Sequence, residues 1–125
     1  MNPTIAGHPR PNGGIELFAW LFMRISGVAL IFLALGHLVI MHMINTVDRI
    51  DYQFVAGRYA SLFWRGYDLT MLLLAMIHGA NGIRYLIDDY TRTGKWRTIW
   101  IRALYTITLF FAVLGVWVIV MFQPH

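Results

Sequence analysis

The stretch HGANGIRYLIDDY, residues 78–90, contains the side chains of this 125-residue sequence that are best suited to chemistry. It begins with a histidine inside an apolar run and ends with Asp89 and Tyr90, where that run meets polar sequence. On an α-helix, His78 and Asp89 share one face and are separated by a rise of roughly 16 Å, about half of a bilayer's hydrocarbon core. The spacing therefore predicts that His78, a residue type that can bind a metal, lies near the middle of the membrane. The carboxylate of Asp89 and the phenol of Tyr90 are predicted at the membrane surface.

The composition indicates a membrane protein. Hydrophobic residues make up 58% of the chain, charged residues 13%, and the mean hydropathy is +0.60, which is too much apolar surface for a small soluble core. The absence of cysteine excludes disulfides and iron–sulfur ligation by this chain, so a metal would need histidine or oxygen ligands. The net charge of +4 does not indicate a nucleic-acid partner, because the basic residues flank apolar runs and form no continuous patch.

Three apolar segments long enough to cross a bilayer lie at about residues 15–44, 67–89 and 99–122. Between the first two, Val55, Tyr59, Leu62 and Phe63 recur at helical spacing, which predicts a short amphipathic helix in the membrane interface. We therefore predict an all-α membrane protein with three transmembrane helices and one interfacial helix. The whole chain, residues 1–125, forms a single transmembrane anchor domain.

The basic residues predict the orientation of the chain. Seven fall on the side of the N-terminus and the second turn, and three fall on the other side: Arg10, Arg24, Arg84, Arg92, Lys95, Arg97 and Arg102 against Arg49, Arg58 and Arg65. By the positive-inside rule the N-terminus is cytoplasmic and the C-terminus lies outside. Residues 1–14 form an irregular lead-in without the features of a signal or transit peptide, so we expect a multi-pass protein of a bacterial plasma membrane.

His78 has three interpretations at this stage: a histidine hydrogen-bonded between helices, a proton relay, or an axial ligand of haem iron. Gly79, Ala80 and Gly82 are small enough to leave clearance for a flat macrocycle, but small residues also serve helix packing. Arg84 and Arg24 are candidates to neutralise haem propionates, and the alternative is that they extend to the interface as snorkelling arginines.

The first segment contains two further histidines, His37 and His42, which differ by roughly 140° around a helix and cannot face the same partner. His37 shares a face with Ser26, Leu30 and other residues that are suited to a bundle interior. An ionisable ring inside an apolar segment requires a ligand role or a hydrogen-bonded partner. His42 lies near the end of the segment, where its ring can reach the interface.

The spacing His78-x10-Asp89-Tyr90 in the second of three spans resembles the signature of the D-type hydrophobic membrane-anchor subunit of succinate dehydrogenase, or succinate:quinone oxidoreductase. The sequence RISG at residues 24–27 and the continuation GIRYLIDDY fit the same family. The resemblance covers essentially the whole chain, and 125 residues is the size of such a subunit.

This resemblance implies roles for individual residues. His78 would be an axial ligand of a b-type haem whose other axial ligand comes from a C-type membrane-anchor subunit. Tyr90 would hydrogen-bond a carbonyl of menaquinone or ubiquinone, and Asp89 would support that site electrostatically. In that family, a flavoprotein subunit and an iron–sulfur subunit oxidise succinate. This chain would thus be a non-flavin subunit of the enzyme, without a dehydrogenase active site of its own.

The resemblance also suggests that His37 ligates a second haem, since anchors with two haems place one histidine in each of two helices about forty residues apart. The same architecture serves quinol:fumarate reductases, so the direction of electron flow stays open. Other interpretations are a haem-free structural membrane subunit and a cytochrome-b-like subunit of another quinone enzyme.

Overall fold

The structure, a computed structural model, describes residues 14–91 and 94–123, and these residues are almost entirely helical. The elements in chain order are α1 (Ile15–Leu38), which continues as a π-helical segment (Val39–Ile44), a short 3-10 turn (Val47–Arg49), α2 (Tyr52–Ala60), α3 (Leu62–Thr91) and α4 (Lys95–Met121). Arg92 and residues 1–13, which include Arg10 and most of the predicted irregular lead-in, lie outside the described residues. The predicted all-α architecture, with three spans and a short helix between the first two, is confirmed.

The three long helices are apolar enough to cross a membrane, but they differ in polarity. The most apolar windows of Ile15–Ile44 and Lys95–Met121 have mean hydropathies of 2.2 and 2.4, against 1.2 for Leu62–Thr91. The lower value of α3 reflects the polar residues that it carries at its two ends and at its centre. The least apolar span is therefore the one that carries most of the candidate functional residues.

The boundary between α2 and α3 differs from the sequence prediction. Leu62 and Phe63 were predicted on the interfacial helix, yet they form the first turn of α3, so α3 begins five residues earlier than predicted. The cause is Ser61, whose extended backbone (φ −90°, ψ 125°) ends α2 directly after Ala60. No glycine or proline marks this break in the sequence. The helical spacing of apolar residues therefore predicted one continuous helix across Ser61.

α3 is the central helix of the bundle, and both α1 and α4 pack against it. The closest approach to α4 depends on Gly115, where an added Cβ would lie 2.5 Å from Cδ2 of Leu72. Many large apolar side chains on the outer faces are exposed, for example Phe32 and Leu109 at 74% and 66%. Such faces are suited to lipid or to partner transmembrane helices.

Two polar contacts fix the ends of the bundle. At one end, the Arg65 guanidinium in the first turn of α3 donates to the carbonyl of Tyr59 in α2 and, at 2.6 Å, to that of Phe122 after α4. At the other end, Arg97 of α4 donates to the Asp88 carboxylate of α3 at 2.7 Å. The Arg65 contacts satisfy carbonyls near the C-termini of α2 and α4, and the Arg97–Asp88 pair joins α4 to α3 at the other end.

Candidate functional site

His78 lies at the contact between α3 and α1, and its partner there is Ser26. The Ser26 hydroxyl oxygen lies 2.8 Å from Nδ1 of His78, and Ser26 is the most deeply buried polar residue, at 2% exposure, among the described residues. Gly27 allows the ring to come close, because an added Cβ at this position would lie 3.4 Å from Cε1 of His78. The histidine predicted from the sequence is thus held by a hydroxyl from the neighbouring helix.

The tautomer of His78 depends on where the Ser26 hydroxyl proton goes. The Ser26 hydroxyl has a single proton, and the carbonyl of Met23 lies 3.4 Å from the hydroxyl oxygen, in position to accept it. If that proton goes to Met23, the hydroxyl oxygen accepts a hydrogen bond from Nδ1–H of His78. A neutral imidazole protonated at Nδ1 has its lone pair at Nε2, the nitrogen that is then available to a metal.

The small residues after His78 have different surroundings. Ala80 is buried at 7% exposure, and a Cβ at Gly82 would lie 3.6 Å from Cε of Met23 in α1, so both positions serve helix packing. At Gly79, in contrast, an added Cβ would meet nothing within 4 Å among the described residues. Of the three small residues predicted to leave room for a macrocycle, only Gly79 borders open space.

The donor set at His78 fits a haem iron. Nδ1 is occupied by the hydroxyl of Ser26, and the partly buried ring makes no other hydrogen bond within residues 14–91 and 94–123. Nε2 is therefore not used by this chain, which is the state required of an axial imidazole ligand. No group of three or more histidine, cysteine or acidic side chains suited to a metal ion occurs in the same ranges, so a metal ion held by this chain's side chains alone is not indicated.

A second polar cluster surrounds His37, and sequence reasoning missed two of its members. Asp68 of α3 accepts hydrogen bonds from Nη2 and Nε of Arg58 in α2 at 2.8 and 3.2 Å. Both residues are buried, at 8% and 7% exposure, and the guanidinium also lies 4.2 Å from the ring centroid of Trp64. Nδ1 of His37 lies 3.6 Å from Oδ1 of Asp68, too far for a hydrogen bond.

The cluster borders a cavity of about 520 Å³ that is otherwise lined mainly by apolar side chains from α1 to α4. Tyr59 of α2 also lines it, outside the spans, and its surroundings raise the pKa of its phenol. Burial is the main cause, followed by the nearby charge of Asp68, while Arg58 and Arg65 act in the opposite direction. A signal for this site was present in the sequence, because Asp68 is an acidic residue inside a membrane-spanning segment.

The two histidines occupy two levels of the same helix–helix contact. His78 of α3 contacts Ser26 of α1, and His37 of α1 lies near Asp68 of α3. Ser26 and His37 are eleven residues apart on α1, so the levels are separated by a rise of roughly 16 Å. The predicted face of the first span that carries Ser26 and His37 is therefore the face that packs on α3.

Tyr90 and Asp89 lie at the opposite end of α3 from Asp68, and both are exposed. Tyr90 is 87% exposed, and neither side chain makes a hydrogen bond within the part of the chain that the structure describes. The neighbouring Asp88, not Asp89, forms the ion pair with Arg97. The phenol and carboxylate predicted at the rim thus face away from this chain's own core and are accessible to a partner or a membrane ligand.

The two arginines predicted to neutralise propionates lie on the same half of the bundle as His78. Nε of Arg84 donates to Oδ1 of Asn81 at 3.2 Å, and its guanidinium lies 4.8 Å from the ring centroid of Tyr85. The guanidinium of Arg24 lies 4.2 Å from the ring centroid of Trp20. Neither arginine forms an ion pair with a carboxylate of the described residues, so both guanidinium groups can bind an anionic group.

Comparison with known proteins identifies the family. The sequence profile of the succinate dehydrogenase/fumarate reductase transmembrane subunit matches residues 10–121. The chain is also 31% identical, over 98 residues, to the succinate dehydrogenase hydrophobic membrane anchor subunit of Archaeoglobus fulgidus, which corresponds to 78% of this chain and 82% of that protein. Together with its three membrane-spanning helices, these similarities show that the chain belongs to the succinate dehydrogenase/fumarate reductase transmembrane-subunit family and is a multi-pass membrane anchor.

Proposed function

We propose that this chain is the D-type anchor of a succinate:quinone oxidoreductase, in which His78 ligates a b-type haem and Tyr90 with Asp89 forms part of the quinone site. The observation that carries this proposal is the contact between Ser26 and His78. It occupies Nδ1 and leaves Nε2 without a partner in the described chain. A histidine placed only for structure would be expected to satisfy both ring nitrogens within the bundle.

We place His78 near the middle of the membrane, with its ring oriented by this chain's own contacts. Ser26 restrains rotation of the ring, and Gly27 leaves room for it against α1. A haem bound at Nε2 would supply a one-electron carrier inside the membrane. The second axial ligand would come from a C-type anchor, because a single imidazole from this chain occupies one side of an iron. Arg24 and Arg84 are the proposed partners of the haem propionates.

Tyr90 acts, in this proposal, on quinone at the cytoplasmic surface. Its phenol can donate a hydrogen bond to a quinone carbonyl oxygen, and that bond strengthens as negative charge grows on the oxygen during reduction. The adjacent Asp89 supports the site electrostatically. Because both side chains are exposed in this chain, the remaining walls of the pocket must come from partner subunits.

The proposed partners are a flavoprotein subunit, an iron–sulfur subunit and a C-type membrane anchor. Succinate would be oxidised by the first two, and electrons would pass to menaquinone or ubiquinone in the membrane. The N-terminus and the turn between α3 and α4 would face the cytoplasm of a bacterial cell, where the charge asymmetry of the sequence places them.

His37 is the proposed ligand of a second b haem, about 16 Å from the first along α1. The fit at this position rests on a buried nitrogen. Nδ1 of His37 has no hydrogen-bond partner within residues 14–91 and 94–123, while the Asp68 carboxylate lies 3.6 Å away. The second ligand for this haem would also come from the partner anchor.

The test of the proposed function is the spectrum and composition of the purified complex. The proposal expects b-type bands in the reduced-minus-oxidised difference spectrum, together with flavoprotein and iron–sulfur subunits that co-purify with this chain. A complex with those subunits but no haem would support a haem-free anchor instead. A complex that reduces fumarate with quinol much faster than it oxidises succinate would identify the quinol:fumarate reductase alternative.

A further inference from the structure

Asp68 forms an ion pair with Arg58 in a place where burying charge is unfavourable. It lies in the seventh position of α3 and is 8% exposed, and its partner Arg58 reaches it from α2 with 7% exposure. Taking two charges out of water costs several kcal/mol per ion before their attraction offsets it. The bidentate contact from Nη2 and Nε of Arg58, at 2.8 and 3.2 Å, supplies two donors to the carboxylate and fixes its plane.

The fixed carboxylate faces the ring of His37. Oδ1 of Asp68 lies 3.6 Å from Nδ1, which is buried and unpaired among the described residues. This separation is about 0.6 Å longer than an N–H···O hydrogen bond, so a small rotation of the ring would close it. Metal-binding histidines commonly donate the N–H that faces away from the metal to a carboxylate, which sets the tautomer and makes the imidazole a stronger ligand.

We infer that Asp68 is the positioning residue of His37: its carboxylate, held by Arg58, accepts the Nδ1–H of His37 and directs the Nε2 lone pair toward a haem iron. This inference rests on the proposed second haem. It assigns Asp68 and Arg58 to that site, which neither the family match nor the sequence motifs do.

The two histidine levels then differ in one chemical respect. His78 is oriented by a neutral hydroxyl from Ser26, whereas His37 is oriented by an anion. A carboxylate increases the electron donation of the imidazole more than a hydroxyl does, and this favours the ferric state of the iron.

The experiment uses the intact complex with Asp68→Asn, which keeps the shape and one acceptor oxygen but removes the charge. Haem stoichiometry and the two midpoint potentials are measured by redox titration of the b bands. We expect retention of the His37-dependent haem to weaken by about 10- to 100-fold. We expect the midpoint potential of this haem to rise by about 59 mV for each tenfold decrease in the stabilisation of the ferric state relative to the ferrous state. Asp48→Asn, which neutralises an exposed carboxylate in the connection between α1 and α2, is the matched control and should change neither quantity.

His37→Leu separates failure of this inference from failure of the proposed second haem. If His37→Leu leaves the haem content unchanged, His37 binds no haem, and the positioning role of Asp68 is excluded as well. If His37→Leu removes one haem but Asp68→Asn leaves both potentials and haem retention at their original values, Asp68 has no positioning role. Should Asp68→Asn prevent assembly through the unpaired Arg58, the double variant Arg58→Gln/Asp68→Asn removes both charges and must give the same rise in potential.

Discussion

The hydroxyl oxygen of Ser26 on α1 lies 2.8 Å from Nδ1 of His78 on α3, across 52 residues of sequence. The contact is partly buried, with Ser26 fully enclosed, and it lies in apolar spans where an unpaired ring nitrogen would be unfavourable. It joins the first span to the central helix and orients the imidazole. The same atom pair therefore contributes to packing and to the proposed haem site.

Ser26→Ala tests the orienting role of this contact. Removal of the hydroxyl leaves Nδ1 of His78 without its partner, so the ring can rotate and its tautomer is no longer fixed. We expect the affinity for haem to fall by about 10- to 100-fold, measured as the rate of haem loss to a scavenger protein. Thr106→Ala deletes a hydroxyl from the exposed face of α4 and is the matched control. Equal rates of haem loss in wild type and Ser26→Ala would contradict the assignment.

Tyr90→Phe tests the quinone site by deleting one hydroxyl and keeping the ring. Succinate:quinone activity should fall by about 10²-fold, the effect typical of losing a donor to a developing oxyanion. Succinate oxidation with an artificial dye acceptor should persist, because that reaction does not use the membrane site. Tyr52→Phe, at an exposed tyrosine near the opposite end of the bundle, should affect neither assay. Equal losses in both assays for Tyr90→Phe would indicate failed assembly, and full quinone activity would exclude Tyr90 from the site.

The ion pair between Arg58 and Asp68 should matter far more to stability than the exposed pair. Arg58→Ala leaves a buried carboxylate without compensation, and we expect a loss of about 3–5 kcal/mol of unfolding free energy. Arg97→Ala breaks the Asp88 pair, whose side chains are 42% and 31% exposed, and should cost about 0–1 kcal/mol. Unfolding of the protein in mixed micelles measures both. A small loss in both variants would show that the Arg58 pair is solvated in the folded protein.

The proposed orientation can be tested with introduced thiols, because the chain has no cysteine of its own. Asp48→Cys places an exposed thiol in the connection between α1 and α2, and Lys95→Cys places one at the first residue of α4, at the opposite end of the bundle. A membrane-impermeant maleimide added to intact spheroplasts should label position 48 and spare position 95 until the membrane is opened. The reverse pattern would place the N-terminus outside.

The spans and the histidines were predictable because their signals are local. Apolar length identifies a membrane helix without knowledge of its neighbours, and an ionisable residue such as His78 or His37 stands out inside it. The partners were not predictable. Ser26 is 52 residues from His78, and its own span gives no indication of which α3 side chain it meets.

Two further features required the folded chain. The end of α2 at Ser61 depends on backbone geometry that no glycine or proline announces, so Leu62 and Phe63 were assigned to the wrong helix. Asp68 was overlooked because it stands next to the predicted start of the span, where a charged residue is ordinary. Only the longer α3 and the approach of Arg58 from α2 show that it is buried.

The haem content of the complex that carries His78→Ala tests the central claim most directly. Haem is measured by the pyridine haemochrome method and divided by the protein content of the same purified complex. His42→Ala, which alters an exposed histidine at the end of α1, is the matched control and should keep the full haem content. We predict that His78→Ala removes one b haem for each copy of this chain. An unchanged haem-to-protein ratio in an assembled His78→Ala complex would contradict it.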